Sequence, residues 1–158
     1  MKRIIDCTEK YVGQKVAKTE KGKTIVLQSP DSFSCDIVKI DGCVFEERDG
    51  KKCDWLFLFP KMKEINEKLG IEKPTAFFVE LKGTELSQAC KQLYYAIDRT
   101  KSQIHNYDIK AKVISIKGQQ PEIVSSEFYR KTQRLIGRNI EIDKVHKGNS
   151  FTHIERIN

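Results

Sequence analysis

Two segments of this chain are apolar on both faces of a strand. In CDWLFLF (53–59) every position from Trp55 to Phe59 is apolar, and AFFVELK (76–82) runs apolar from Ala76 to Val79. Successive side chains of a strand point to opposite faces. A strand with one face in water therefore alternates, and these two do not. Runs of this kind belong in the middle of a sheet, covered on both sides. That requirement predicts an α/β or α+β domain with a central mixed sheet flanked by helices.

The remaining pattern fits around those two strands. KVAKTEKGKTIVLQ (15–28) alternates on either side of Lys21-Gly22 and predicts an added N-terminal hairpin. CDIVKIDGCVF (35–45) predicts a strand, and the Asp-Gly in ERDGKK (47–52) predicts a turn into 53–59. Pro60 ends that strand, and 61–75 reads as a polar connector with one or two helical turns. After 76–82, Gly83-Thr84 breaks the strand. A helix is expected from 84 to about 105, with Thr84 as N-cap and stripe positions 86, 89, 90, 93, 97, 100 and 104. IKAKVISIKG (109–118) predicts the next strand, completing a strand–helix–strand unit. PEIVSSEFYRKTQRLIG (121–137) predicts a short helix capped by Ser125 or Ser126 and stopped by Gly137, and 139–157 predicts a closing hairpin about Lys147-Gly148. A length of 158 residues suits one domain over 1–158.

Charge points to the partner class. The net charge is +7, and residues 99–158 carry 12 basic against 6 acidic side chains. Such an excess favours a polyanion such as nucleic acid, with a solvated basic surface as the plain alternative. No apolar run approaches the roughly 20 residues of a membrane span, so no membrane partner is expected. MKRIIDCTEK lacks the apolar stretch of a secretion leader. The five cysteines (7, 35, 43, 53, 90) are odd in number and form no CxxC pair. They are expected as buried thiols of a cytoplasmic protein, not as a disulfide framework or a zinc site. No phosphate-binding glycine loop and no nucleophile turn is present.

The chemistry-bearing residues sit at strand ends. Glu80 and Lys82 lie two apart, about 6.5–7 Å along one face. Asp54 interrupts the apolar run of the other doubly apolar strand at its start. A Glu–Lys pair at a strand end is often a simple ion pair. Two carboxylates meeting at a sheet rim, however, form a hard oxygen site suited to Mg²⁺ or Mn²⁺.

Asp54 followed by Glu80-Leu81-Lys82 resembles the signature of the PD-(D/E)xK, or restriction endonuclease-like, nuclease superfamily. The resemblance covers residues 36–117. Cys53 stands where many members have proline, and no first helix offers a further acid. The resemblance implies Asp54, Glu80 and the Leu81 carbonyl as metal ligands, and Lys82 as the group that positions the attacking water. Gln92 matches a helix glutamine of the RecB-like branch and would assist, with Gln88 one turn earlier. The implied activity is metal-dependent hydrolysis of phosphodiester bonds, with DNA the expected substrate. A catalytically silent nucleic-acid-binding or assembly module on the same fold is the alternative. Lys39, Lys51 and Lys52 flank the site and are expected to meet phosphates. So are Gln88, Tyr95 and the basic face of Arg130, Lys131, Arg134 and Arg138. Double-strand cleavage by one small domain would call for a homodimer.

Overall fold

The computed structural model describes residues 1–50, 52–60, 74–145 and 151–157. The described residues form a mixed α/β fold around a seven-stranded mixed sheet. A 3₁₀ turn, Ile4–Cys7, leads into strands β1 (Thr8–Glu20) and β2 (Lys23–Lys39). Strands β3 (Trp55–Phe59) and β4 (Thr75–Leu81) follow, then helix α1 (Leu86–Thr100) and strand β5 (Asp108–Ser115). Short helix α2 (Pro121–Val124), helix α3 (Glu127–Ile136) and strands β6 (Glu141–Lys144) and β7 (Phe151–Arg156) complete the order.

The sheet order is β1-β2-β3-β4-β5-β6, with β7 paired to β2 off that path. The doubly apolar strands β3 and β4 are adjacent, antiparallel and central, as their composition requires. Strand β5 lies parallel to β4, reached through α1. On one face, Leu56, Leu58, Ala76 and Phe78 pack against Ala89, Leu93 and Ile97 of α1. On the other, Trp55, Phe57, Phe77 and Val79 meet Ile25, Leu27 and Phe33 of β2. Full burial of each such side chain contributes about 1.5–3 kcal/mol. Among the described residues, then, helices cover one face only. The second face is covered by the N-terminal hairpin folded back over the sheet.

That arrangement explains the length of β2. The two strands expected at 23–28 and 35–45 are one, and it changes neighbours along its course. Its first part pairs with β7 from Lys23 to Gln28, and its last part pairs with β3 from Asp36 to Lys39. The strand stops at Lys39, because Ile40–Phe45 turns back on itself through the Gly42 N–H to Phe45 carbonyl bond.

Other expectations change with tertiary context. The closing hairpin does not form: β6 pairs parallel with β5 and β7 parallel with β2. Two partners with open edges outcompete one local hairpin. Helix α1 begins at Leu86 and ends at Thr100, and its cap, Glu85, makes no side-chain cap hydrogen bond, so Thr84 is not the N-cap. Helix α3 does start after Ser126 and stop at Gly137, whose φ of 73° is the left-handed geometry glycine favours. Cys7 and Cys43, expected as free thiols, form a disulfide, while Cys35, Cys53 and Cys90 are buried and free. The Lys2 N–H to Val44 carbonyl bond, 2.8 Å, lays the amino-terminal turn beside that loop and brings the two cysteines together. The connector at 61–73 and the turn at Lys147-Gly148 lie outside the described residues. Among the described residues no helix is long and apolar enough to cross a membrane.

Candidate active site

Strand register builds the site. β3 and β4 run antiparallel with Trp55 opposite Val79. One step further along that ladder, Asp54 falls opposite Glu80. The two acids therefore share one end of the sheet although 25 residues separate them in the chain. The Leu81 N–H donates to Asp54 Oδ2 at 2.8 Å, so one carboxylate oxygen is held by backbone. Beyond Leu81 the backbone stays beside β5 for two more residues, with Lys82 N–H bonded to the Ile114 carbonyl and Ile116 N–H to the Gly83 carbonyl. Lys82 thus stands at the rim.

Both acids are deeply placed: Asp54 is 7% exposed and Glu80 2%. Among the described residues two buried side-chain polar atoms have no hydrogen-bond partner, Trp55 Nε1 and Glu80 Oε2. An unsatisfied buried carboxylate oxygen is costly. Burial raises the Asp54 carboxyl to about 6, against the Leu81 N–H, which pulls it down. Burial and the neighbouring Asp54 push Glu80 well above its ordinary range, with Lys82 pulling the other way. Two carboxyl groups that each resist ionisation beside the other form a place where added positive charge is favourable. The oxygen-only donor set, the orphaned Glu80 Oε2 and the polar cleft in front of it fit a hard divalent cation.

The cleft encloses about 280 Å³. Asp54, Glu80, Leu81 and Lys82 line it, with Gly83, Thr84 and Gln92 on the helix side. Lys82 Nζ donates to Gln92 Oε1 at 3.1 Å, and Gln92 Nε2 donates to the Lys52 carbonyl at 2.9 Å. Gln92 therefore ties the rim lysine to the chain entering β3. Cys53, immediately before Asp54, is fully buried, and burial with both acids raises its thiol well above its ordinary range. It is a packed neutral thiol.

The other expected contact residues are spread more widely. Lys39 is exposed and its ammonium lies 3.9 Å from Glu20, a cleft residue; Lys39 itself does not line the cleft. Lys52 is buried, donating to the Glu46 carbonyl at 2.6 Å and pairing with Asp41 at 3.1 Å. Lys51 lies outside the described residues. Gln88 is half-buried on α1. Tyr95 packs among Tyr94 and Phe128 at centroid distances of 5.3 and 5.7 Å. Arg130, Arg134 and Arg138 are exposed, and Lys131 pairs with Glu127 at 2.8 Å.

Five charged cleft residues were not among the expected site residues, one of them Glu85, just before α1. Glu20, Lys21 and Lys23 come from the tip of the β1–β2 hairpin, and Asp41 from the turn after β2. The Lys21-Gly22 turn is visible in sequence, but where its tip lands is not. Asp41 precedes a glycine, a turn signal that the apolar residues around it masked. No family model, curated protein or solved structure matches the chain.

Proposed function

We propose that this chain is a metal-dependent nuclease of restriction endonuclease-like fold that hydrolyses phosphodiester bonds, with DNA as its substrate. The observation that carries the reading is Glu80 Oε2, buried without a partner across the sheet end from a second acid that is itself reluctant to ionise. Asp54 and Glu80 would hold Mg²⁺ or Mn²⁺, with the Leu81 carbonyl as a further oxygen. When bound, the cation would supply Lewis-acid polarisation of phosphate and of water. Lys82, held by Gln92, orients the attacking water and neutralises charge developing on the phosphate oxygens. Gln92 fixes that ammonium from the helix side. The cleft is open enough to admit a backbone phosphate and too polar to favour an apolar ligand.

A silent binding or assembly module on the same fold is the second reading. Its support is that two of the cleft's three additional acids, which include Glu85, are already engaged, Asp41 by Lys52 at 3.1 Å and Glu20 by Lys39 at 3.9 Å. Cleavage of duplex, single-stranded and branched DNA and of RNA, with Mg²⁺ or Mn²⁺, separates the two. The nuclease reading expects cutting that falls by about 10²–10³-fold in Lys82→Ala and disappears in Glu80→Ala. It also expects Mg²⁺ to raise the melting temperature of wild type but not of Glu80→Ala. Salt-sensitive DNA binding without cutting establishes the module instead. Equal cutting by all three proteins rejects this site.

A further inference from the structure

We propose that the β1–β2 hairpin is a phosphate-binding arm, in which Lys21 and Lys23 contact the backbone of a nucleic acid in the cleft that Lys82 also lines. The proposal rests on the nuclease reading for the nature of the polyanion, and it deepens that reading by assigning basic residues around the acid pair.

Strand alternation aims Lys23. Lys23, Ile25 and Leu27 share one face of β2. Ile25 and Leu27 are 0% and 1% exposed, packed on the sheet face that carries Trp55, Val79 and Leu81. Lys23 continues that inward face past the end of the apolar core, where the cleft opens. Its charge is felt by Asp54, where it opposes the effect of burial.

Turn geometry aims Lys21. Glu20 pairs with Lys23, leaving Lys21-Gly22 as a two-residue loop. Both residues have positive φ, 48° and 76°, the combination of the hairpin turn that matches strand twist. A lysine in that region is disfavoured by about 1–2 kcal/mol, a cost glycine would not carry. Lys21 lines the cleft.

The arm is fixed in place. β7 pairs with β2 over Lys23–Gln28. From β7, Glu155 accepts from Lys112 of β5 at 2.7 Å, tying the arm to the central sheet. Of the acids beside the tip, Glu20 and Asp41 are engaged by Lys39 and Lys52. The cleft lining thus brings three ammonium groups, Lys21, Lys23 and Lys82, around the Asp54–Glu80 pair, with Glu85 as a further acid. That set of charges suits an anion held beside a cation.

The test compares wild type, Lys21→Ala/Lys23→Ala and Lys21→Arg/Lys23→Arg on a fluorescein-labelled DNA duplex. Cleavage with Mg²⁺ gives kcat and KM, and anisotropy from 50 to 200 mM NaCl gives the salt dependence of binding. Circular dichroism melting confirms that the variants fold. For the alanine pair, KM is expected to rise about tenfold and by more than kcat falls. The slope of log K against log[salt] should shrink by about 1.8, from roughly 0.9 per phosphate contact. The arginine pair should restore both. An unchanged slope with a shifted pH profile overturns the proposal and leaves Lys23 as a charge acting on Asp54. If wild type binds DNA without cutting, the nuclease reading fails, and the slope alone decides the arm. If wild type neither binds nor cuts, both fail.

Discussion

Glu80 is the residue whose position costs the fold most visibly. A carboxylate oxygen without a partner, in a side chain 2% exposed, costs stability that binding must recover. Replacing it with a side chain of similar length and no charge should separate the two roles. In cation-free buffer near pH 8, Glu80→Met is expected to gain about 1–3 kcal/mol, the usual cost of an unsatisfied buried polar group, while losing the proposed nuclease activity. Urea denaturation measures the gain. A loss of stability in that variant would mean that the bond Glu80 accepts from the Asp54 N–H outweighs the cost of its orphaned oxygen. The trade follows the general pattern in which an active site is locally less stable than a neutral replacement. Each acid accepts one backbone N–H, Asp54 from Leu81 and Glu80 from Asp54, so the cost falls on the second Glu80 oxygen.

At the scale of elements, the join between the arm and the central sheet depends on Lys112 of β5. Its ammonium lies 3.1 Å from Glu141, 2.9 Å from Asp143 and 2.7 Å from Glu155, and its side chain is 6% exposed. Burial pulls the Lys112 amine down, but hydrogen bonds to Glu155 and Asp143 raise it further, and the net direction is up. Burial pushes Glu155 up, yet hydrogen bonds from His153 and Lys112 pull it below its ordinary 4.5. Removing the shared cation by Lys112→Ala should cost about 3–5 kcal/mol, as removal of one partner of a buried pair does. Glu141→Ala, at an exposed partner, should cost about 1 kcal/mol or less. The pH dependence has a defined sign. A depressed Glu155 contributes stability above pH 4.5 and loses it as pH falls through its folded value. Urea midpoints measured from pH 6 to pH 3 should fall for wild type, and Glu155→Gln should start lower and flatten. Equal slopes would show that Glu155 is not the group responsible.

Across the whole molecule, the disulfide joins the amino-terminal turn to the loop that follows β2, closing a sequence separation of 36 residues. That loop carries Asp41 into the cleft and holds Lys52, whose carbonyl anchors Gln92. Reduction is therefore expected to loosen one wall of the site as well as the fold. Cys7→Ser/Cys43→Ser should lose about 3–4 kcal/mol on the loop-entropy argument, with a matching drop in melting temperature when wild type is treated with dithiothreitol. No change on reduction would mean the bridge does not form in the protein as prepared.

The hairpin at Lys21-Gly22, the two central strands, the apolar stripe of α1 and the stop at Gly137 are all legible in the residues themselves, because each follows from a period of two or 3.6 or from a local backbone preference. Asp54 and Glu80 stand out for the same reason, as acids breaking apolar runs. Their meeting required the register of β3 on β4, which no local pattern specifies. The path of the arm over the sheet, the pairing of β6 and β7 with distant strands, the Cys7–Cys43 bridge and the arrival of Lys21, Lys23 and Asp41 at the cleft are decided by which faces bury together. Burial is a property of the assembled sheet, and one strand can gain it against several partners. Only the folded chain selects among them.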